Sequence, residues 1–324
     1  MKNIRNFFLI ALFVTSSILQ SQVQRDRKVT LMGSQFQITV VDQDSLSAEK
    51  SIDKAIAEIT RIENLISEWQ PNTQISEVNR NAGIKPIKVD QEVFELTKTA
   101  LYFSKITDGA FDISIAAMDK IWKFDGSMNQ IPKEKSIAAS VKNVGYQNIE
   151  LDSIHSTIFL KNKGMKIGFG SIGKGYTADR ARSVLKESGV LAGIINASGD
   201  ISTWGTQSNG EPWAIGVNNP FQPGKVAAII QQLTDTSVTT SGSYEKYAEI
   251  SGKRYSHIIN PKTGLPSTGL TSVTIIGPNA TSANGFSTSI MVLGKNKGLK
   301  LLKKYPQYRY VLITDKGNIL RSIR

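Results

Sequence analysis

Cysteine is absent from this 324-residue chain, and histidine occurs only twice. Without thiols there is no disulfide framework, no thiolate metal site and no lipid-anchored cysteine. The two histidines, His155 and His257, stand far apart, and neither HExxH nor GxSxG occurs, which disfavours zinc hydrolysis and acyl-transfer triads. Beyond the first twenty-odd residues no apolar run is long enough to span a bilayer. Fixed-period repeats and long low-complexity linkers are missing too. The chain also lacks clustered arginines interleaved with aromatics, so its formal charge of +12 does not point to nucleic acid.

The N-terminus is what gives the chain an address. Met1-Lys-Asn-Ile-Arg5, the apolar run Phe7 to Val14 and the small-polar Ser16 to Ser21 follow the order of a secretory signal. We expect residues 1–21 to be a cleaved signal peptide, 22–324 to be the working domain, and the mature protein to be periplasmic or secreted. About 300 residues remain, enough for one large domain or two closely joined halves. Removing Lys2 and Arg5 lowers the net charge by two; the remaining excess is spread along Lys133 to Lys142, Lys161 to Lys166 and Lys295 to Lys304. A spread positive surface attracts anionic ligands or a membrane face.

Periodicity gives a coarse map. Val29 to Val41 reads as a strand with Met32-Gly33 near its start, and Ala48 to Glu68 as a helix with isoleucines on one face. A second helix is marked by Val93, Leu96, Ala100 and Phe103 and stops at Thr107-Asp108-Gly109; a third runs from Lys174 to Ser188, with Gly189 as its C-terminal cap. Strand-like runs follow at Ile149 to Leu151, Thr157 to Leu160, Gly193 to Ala197, Trp213 to Val217, Val226 to Leu233, Ser272 to Ile276 and Tyr308 to Thr314. Helices interleaved with meandering strands predict an α+β layered fold with mainly antiparallel sheet.

The most informative segment is Gly168-Phe-Gly-Ser-Ile-Gly-Lys-Gly-Tyr-Thr-Ala-Asp179, a glycine-rich turn that runs into the third helix. Backbone N–H groups, the helix N-terminus and the mobile charge of Lys174 suit a phosphate, although a tight strand-to-helix turn has the same composition. Asp108 and Asp112 flank a turn, and Asn196-Ala-Ser-Gly-Asp200 ends a buried-looking strand with small polar groups. Thr239 to Glu245 is rich in hydroxyls. His257 stands near Arg254, Ser256 and an Asn-Pro turn, where catalytic and structural roles are both open. Asn284 and Thr288, four residues apart, share one helix face and present two oxygens to a hard cation, or simply to solvent.

In this order the segments resemble the FAD:protein FMN transferase, or ApbE, family over nearly all of the mature chain. The resemblance rests on Met32-Gly33-Ser34, Ser67 to Asn79, Thr107 to Asp112, Gly170 to Asp179, Asn196 to Asp200, Thr240-Ser-Gly242, Tyr255 to Gly264 and Ala283 to Thr288. It implies a T-fold-like pair of subdomains with FAD between them. The implied reaction is Mg²⁺-dependent transfer of FMN from FAD to a threonine hydroxyl of an exported or membrane redox protein, such as a subunit of an ion-pumping quinone reductase, with release of AMP. On the same basis a carbonyl of Gly173 and the side chains of Asn284 and Thr288 would hold Mg²⁺. Met32, Trp69, Asp112, Lys174 and Ser241 would lie along the flavin nucleotide, and His257 would assist proton removal.

Three positions depart from the family pattern. Gly168 stands where an aspartate is usual, Asn260 replaces the aspartate of His-Ile-Ile-Asp-Pro, and Asn284 replaces the metal-binding aspartate. Each change removes a carboxylate, so a weaker cation site is expected, more dependent on the substrate's phosphates. Two alternatives follow: hydrolysis of FAD to FMN and AMP, or a periplasmic flavin-binding protein without turnover.

Overall fold

The computed structural model describes residues 22–244 and 246–322; the expected signal peptide at 1–21 lies outside them. An eight-stranded sheet, with strands numbered along the chain, runs in the order β1 (Val23–Leu31), β2 (Ser34–Asp42), β6 (Ala192–Ala197), β7 (Asp200–Trp204), β10 (Ser237–Gly242), β13 (Leu270–Gly277), β14 (Arg309–Thr314) and β15 (Ile319–Arg321). Every neighbouring pair is antiparallel. Smaller sheets pair β3 (Ile87–Lys88), β5 (Thr157–Leu160) and β4 (Ile149–Asp152); β8 (Trp213–Asn218) with β9 (Val226–Leu233); and β11 (Tyr247–Ile250) with β12 (Lys253–Ser256). The helices are α1 (Ser45–Ile66), α2 (Gln74–Arg80), α3 (Gln91–Ile106), α4 (Glu134–Ser140), α5 (Gly173–Glu187) and α6 (Ala280–Leu302). The expected α+β class with antiparallel sheet is what forms.

Side-chain alternation separates the layers. Phe36, Ile38 and Val40 point to a core completed by Ala48, Ile52, Ala55 and Ile59 of α1 and by Ala178, Ala181 and Leu185 of α5. Val41, Ile201 and Val238 point the other way, under the β8–β9 hairpin. A one-residue slip would exchange the two faces, so burial on both sides fixes the register. A third cluster joins the end of α1 to α2, α3, the small sheet and α6 through Phe94, Phe103 and Phe286.

The expected strand Val29 to Val41 is two strands. Met32 (φ 50°) and Gly33 (φ 64°) form a two-residue turn, with Leu31 opposite Ser34. Positive φ at both central residues matches the right-handed twist of a hairpin, which a continuous strand reading overlooks. The other expected strands and helices appear where the pattern put them. Gly189 (φ 83°) does close α5, with the Val190 N–H donating to the Leu185 carbonyl at 3.0 Å.

Candidate active site

The glycine turn, the starts of α5 and α6 and the ends of β7 and β10 meet around a hollow of about 650 Å³. Trp69, Asp112, Lys174, Ser241, His257, Asn284 and Thr288 all line it, although they span most of the chain. Two expected site residues do not. Met32 packs between the two helical cores, and its N–H donates to Glu63 Oε2 at 3.0 Å. Gly173 is buried behind the wall, where a Cβ would stand 3.1 Å from Ile66 Cδ1 and 3.8 Å from Met32 Cε. Met32 therefore backs the turn rather than lining the cleft, and the Cβ direction of Gly173 points into the same core; the expectation for Gly173 concerns its carbonyl, which that direction does not decide.

Close helix packing sets the inner end of the hollow. At Gly175 a Cβ would lie 2.6 Å from the Ala280 carbonyl oxygen, so only glycine lets α5 approach the start of α6 this closely. Asp179 of α5 then accepts from the N–H groups of Ala280 and Thr281, both at 2.8 Å, and from the Thr281 and Ser202 hydroxyls. Its negative charge at a helix N-terminus is favourable. This clamp presents Asn284 and Thr288 to the cleft one turn apart.

Around them the polar groups are only partly satisfied. Asn284 Nδ2 donates to Asp200 Oδ1 at 3.3 Å, whereas Asn284 Oδ1 and Asp200 Oδ2 are buried without a hydrogen bond. Lys174 Nζ lies 3.8 Å from Asp200 Oδ2. Burial pushes the Asp200 carboxyl up to about 6, with Lys174 opposing and Asp179 adding to the rise. Ser241 Oγ stands 2.8 Å from Ser287 Oγ and 3.3 Å from Thr288 Oγ1. Among the described residues there is no group of three or more His, Cys, Asp and Glu suited to a metal. Two orphaned oxygens beside a threonine hydroxyl nevertheless fit a hard cation whose other ligands are phosphates and water.

At the mouth, His257 Nδ1 lies 2.9 Å from the Lys246 carbonyl. A carbonyl only accepts, so Nδ1 carries the proton and Nε2 is the basic nitrogen of the neutral ring. Trp69 is 73% exposed, with Lys120 Nζ 4.4 Å above its ring. Such a face can stack on a planar heterocycle. Asp112 ties the wall together instead, since one of its oxygens accepts from the Ser114 N–H and hydroxyl and the other from the Tyr146 N–H at 2.8 Å.

The departures from the family pattern change meaning in three dimensions. Asn260 Oδ1 accepts from the Lys262 N–H at 2.9 Å and shapes the turn; Asn260 does not line the cleft, so no carboxylate is lost there. At Gly168 a Cβ would fall 2.7 Å from Glu68 Oε1, so the Glu68 carboxylate occupies the space a side chain would take. Glu68 lines the cleft, and burial raises its carboxyl above the ordinary range. Glu68 and Asp200 are thus cleft carboxylates absent from the expected site. The Asn196 to Asp200 segment carried a signal for the second; Glu68 stood in a matched segment without one.

Residues 32–312 match the model of the ApbE family. The chain is 32% identical over 295 residues to an FAD:protein FMN transferase of Klebsiella pneumoniae, covering 90% of each chain. It is 25% identical to one from Escherichia coli K12, covering 90% of this chain and 84% of that one. Among solved structures, the ApbE protein of Thermotoga maritima superposes with a TM-score of 0.83 at 30% identity, covering 93% of this chain and 97% of that one. The apo flavinyl transferase ApbE of Pseudomonas stutzeri gives 0.79 at 27%, covering 94% and 95%.

Proposed function

The chain belongs to the ApbE family, a family of flavin transferases, and from that premise we propose that it moves the FMN half of FAD onto a threonine hydroxyl of an exported or membrane-bound acceptor protein. The threonine oxygen attacks the phosphorus of the FMN half, the bridging P–O bond breaks, and AMP leaves with the bridging oxygen. The hydroxyl proton passes to His257 Nε2. The carrying observation is the gathering of Lys174, Ser241, His257, Asn284 and Thr288 around one hollow.

Each group has a part suited to its chemistry. Lys174 at the start of α5 offers a positive charge to the diphosphate, alongside backbone N–H groups of the turn. Trp69 offers a stacking face. Asn284 and Thr288 would hold Mg²⁺, which neutralises charge on the phosphates when bound. Holding hydroxyl and phosphorus in line supplies much of the acceleration in phosphoryl transfer.

The basic, apolar and small-polar N-terminal order supports export through a cleaved signal. Among the described residues no helix is long and apolar enough to cross a membrane. The spread positive charge supports attraction to an anionic membrane face, where a redox subunit would present its threonine.

AMP release separates the readings. With FAD and Mg²⁺ we expect AMP to appear in step with added acceptor fragment and to stop without Mg²⁺. Equal AMP with and without acceptor would replace transfer by hydrolysis. Retained FAD with no AMP under any condition would leave a binding protein.

A further inference from the structure

Lys174, Asp200 and Asn284 meet at the inner end of the cleft with their polar groups unbalanced. Asp200 is 2% exposed and Asn284 6%. The amide orientation is fixed chemically: turning it over would set its oxygen against Asp200 Oδ1 in place of the 3.3 Å donation from Nδ2. Asn284 Oδ1 is therefore a buried acceptor without a donor, and Asp200 Oδ2 is another. Leaving two such groups dry forfeits their hydration with nothing gained in return. A helix and a strand have both been placed to hold them here.

The positive group facing them is Lys174 Nζ, 3.8 Å from Asp200 Oδ2. That is beyond hydrogen-bonding distance, although close enough for Coulomb attraction. An ammonium hydrogen-bonded to both oxygens would be drawn from the diphosphate that the proposed function assigns to it. A hard divalent cation satisfies acceptor-only oxygens directly. We propose that Asp200 supplies the anionic ligand of a divalent-cation site shared with Asn284, and that Lys174 balances the Asp200 charge until the cation arrives and frees it for the diphosphate.

Asp200 then contributes the charge that Asn284 lacks. Cation entry and the turning of Lys174 toward phosphate become one exchange, so metal and nucleotide favour each other's binding. The inference deepens the metal part of the proposed function and rests on that reading only for the identity of the nucleotide.

The test is metal binding by the mature chain without FAD or acceptor, followed by the electron paramagnetic resonance signal of free Mn²⁺ and by Mg²⁺ calorimetry. Asp200→Asn keeps the volume and the acceptor for Asn284 Nδ2 and removes the charge; we expect about tenfold weaker binding or more. Lys174→Met removes the competing ammonium and should tighten Mn²⁺ binding several-fold, as should Asn284→Asp, which adds a charge. Unchanged affinity in Asp200→Asn would overturn the proposal. So would weaker binding in Lys174→Met, or no Mn²⁺ binding by wild type and Lys174→Met up to millimolar metal. Should Asp200→Asn fail to give a cooperative melt, the Lys174→Met titration decides alone. Metal binding of the expected pattern without FMN transfer would sink the proposed function and leave this inference standing; transfer with an indifferent Asp200 would do the reverse.

Discussion

Glu68 lies just past the end of α1, and its carboxylate fills the space above Gly168. An aspartate at 168 would set two carboxylates into one volume, with steric and like-charge penalties of about 1–3 kcal/mol. We predict that Gly168→Asp lowers the melting temperature and weakens FAD binding, and that adding Glu68→Ala restores much of both. Additive losses in the double variant would show that the two positions do not share this space. His257 has a different sensitivity, because it faces the reacting hydroxyl in the proposed mechanism. His257→Ala should cut the FMN-transfer rate by about 10²–10⁴-fold, the usual worth of general-base catalysis, while the Kd for FAD changes little. Equal loss of both would make His257 a cofactor-holding residue. The sequence made His257, Lys174, Asn284 and Thr288 legible because their segments combine unusual residue types at short range. Asp200 was legible only as part of the polar Asn196 to Asp200 segment, and Glu68 was hidden, because their importance comes from what lies across the cleft: an amide on another element and a missing Cβ at 168.

Elements were legible where an apolar period repeats, as along α1, and obscure where hydroxyls are buried. Ser202, Ser237, Thr239 and Thr274 are fully enclosed in β7, β10 and β13; of the three, only β13 was legible as a strand, from the apolar residues beside its hydroxyls. The strands remain stable because the hydroxyls bond to one another, Ser202 to Ser237 at 3.1 Å and Thr240 to Thr274 at 2.9 Å. The join between α5 and α6 was equally unreadable, since Gly175 meets the Ala280 carbonyl over a long sequence separation. Neither helix backbone can move aside locally. Gly175→Ala should therefore cost about 1–3 kcal/mol by denaturant melting despite the better helix propensity of alanine. It should also weaken Mg²⁺ binding, because Asn284 Cβ lies 3.2 Å from the added methyl. A neutral or stabilising result would mean that the two helices are less tightly joined.

Across the whole molecule, a charge network ties α1, α3 and α5 together behind the cleft. Arg61 bonds Glu58 of α1 and Glu92 of α3, while Tyr176 of α5 donates to Glu92 at 2.7 Å. The Arg61 bond holds the Glu58 carboxyl below its ordinary range. For Glu92, burial pushes upward, but bonds from Arg61 and Tyr176 outweigh it and the net direction is down. Depressed carboxylates stabilise the fold above the ordinary glutamate range, and that contribution disappears as pH falls through their folded values. Thermal stability should therefore decline on acidification below the ordinary glutamate range. Arg61→Ala should be less stable near neutrality and show a shallower acid decline; parallel wild-type and variant curves would exclude the network as a source.

In the proposed function the same frame brings FAD, a cation and an acceptor hydroxyl to one place, and the mass of the acceptor reads the outcome most directly. An exported threonine-bearing fragment incubated with the mature chain, FAD and Mg²⁺ should gain the mass of one FMN less water, at the threonine, with none gained by a Thr→Ala fragment. An acceptor of unchanged mass, in a reaction where FAD is bound or cleaved, would contradict FMN transfer as the work of this cleft.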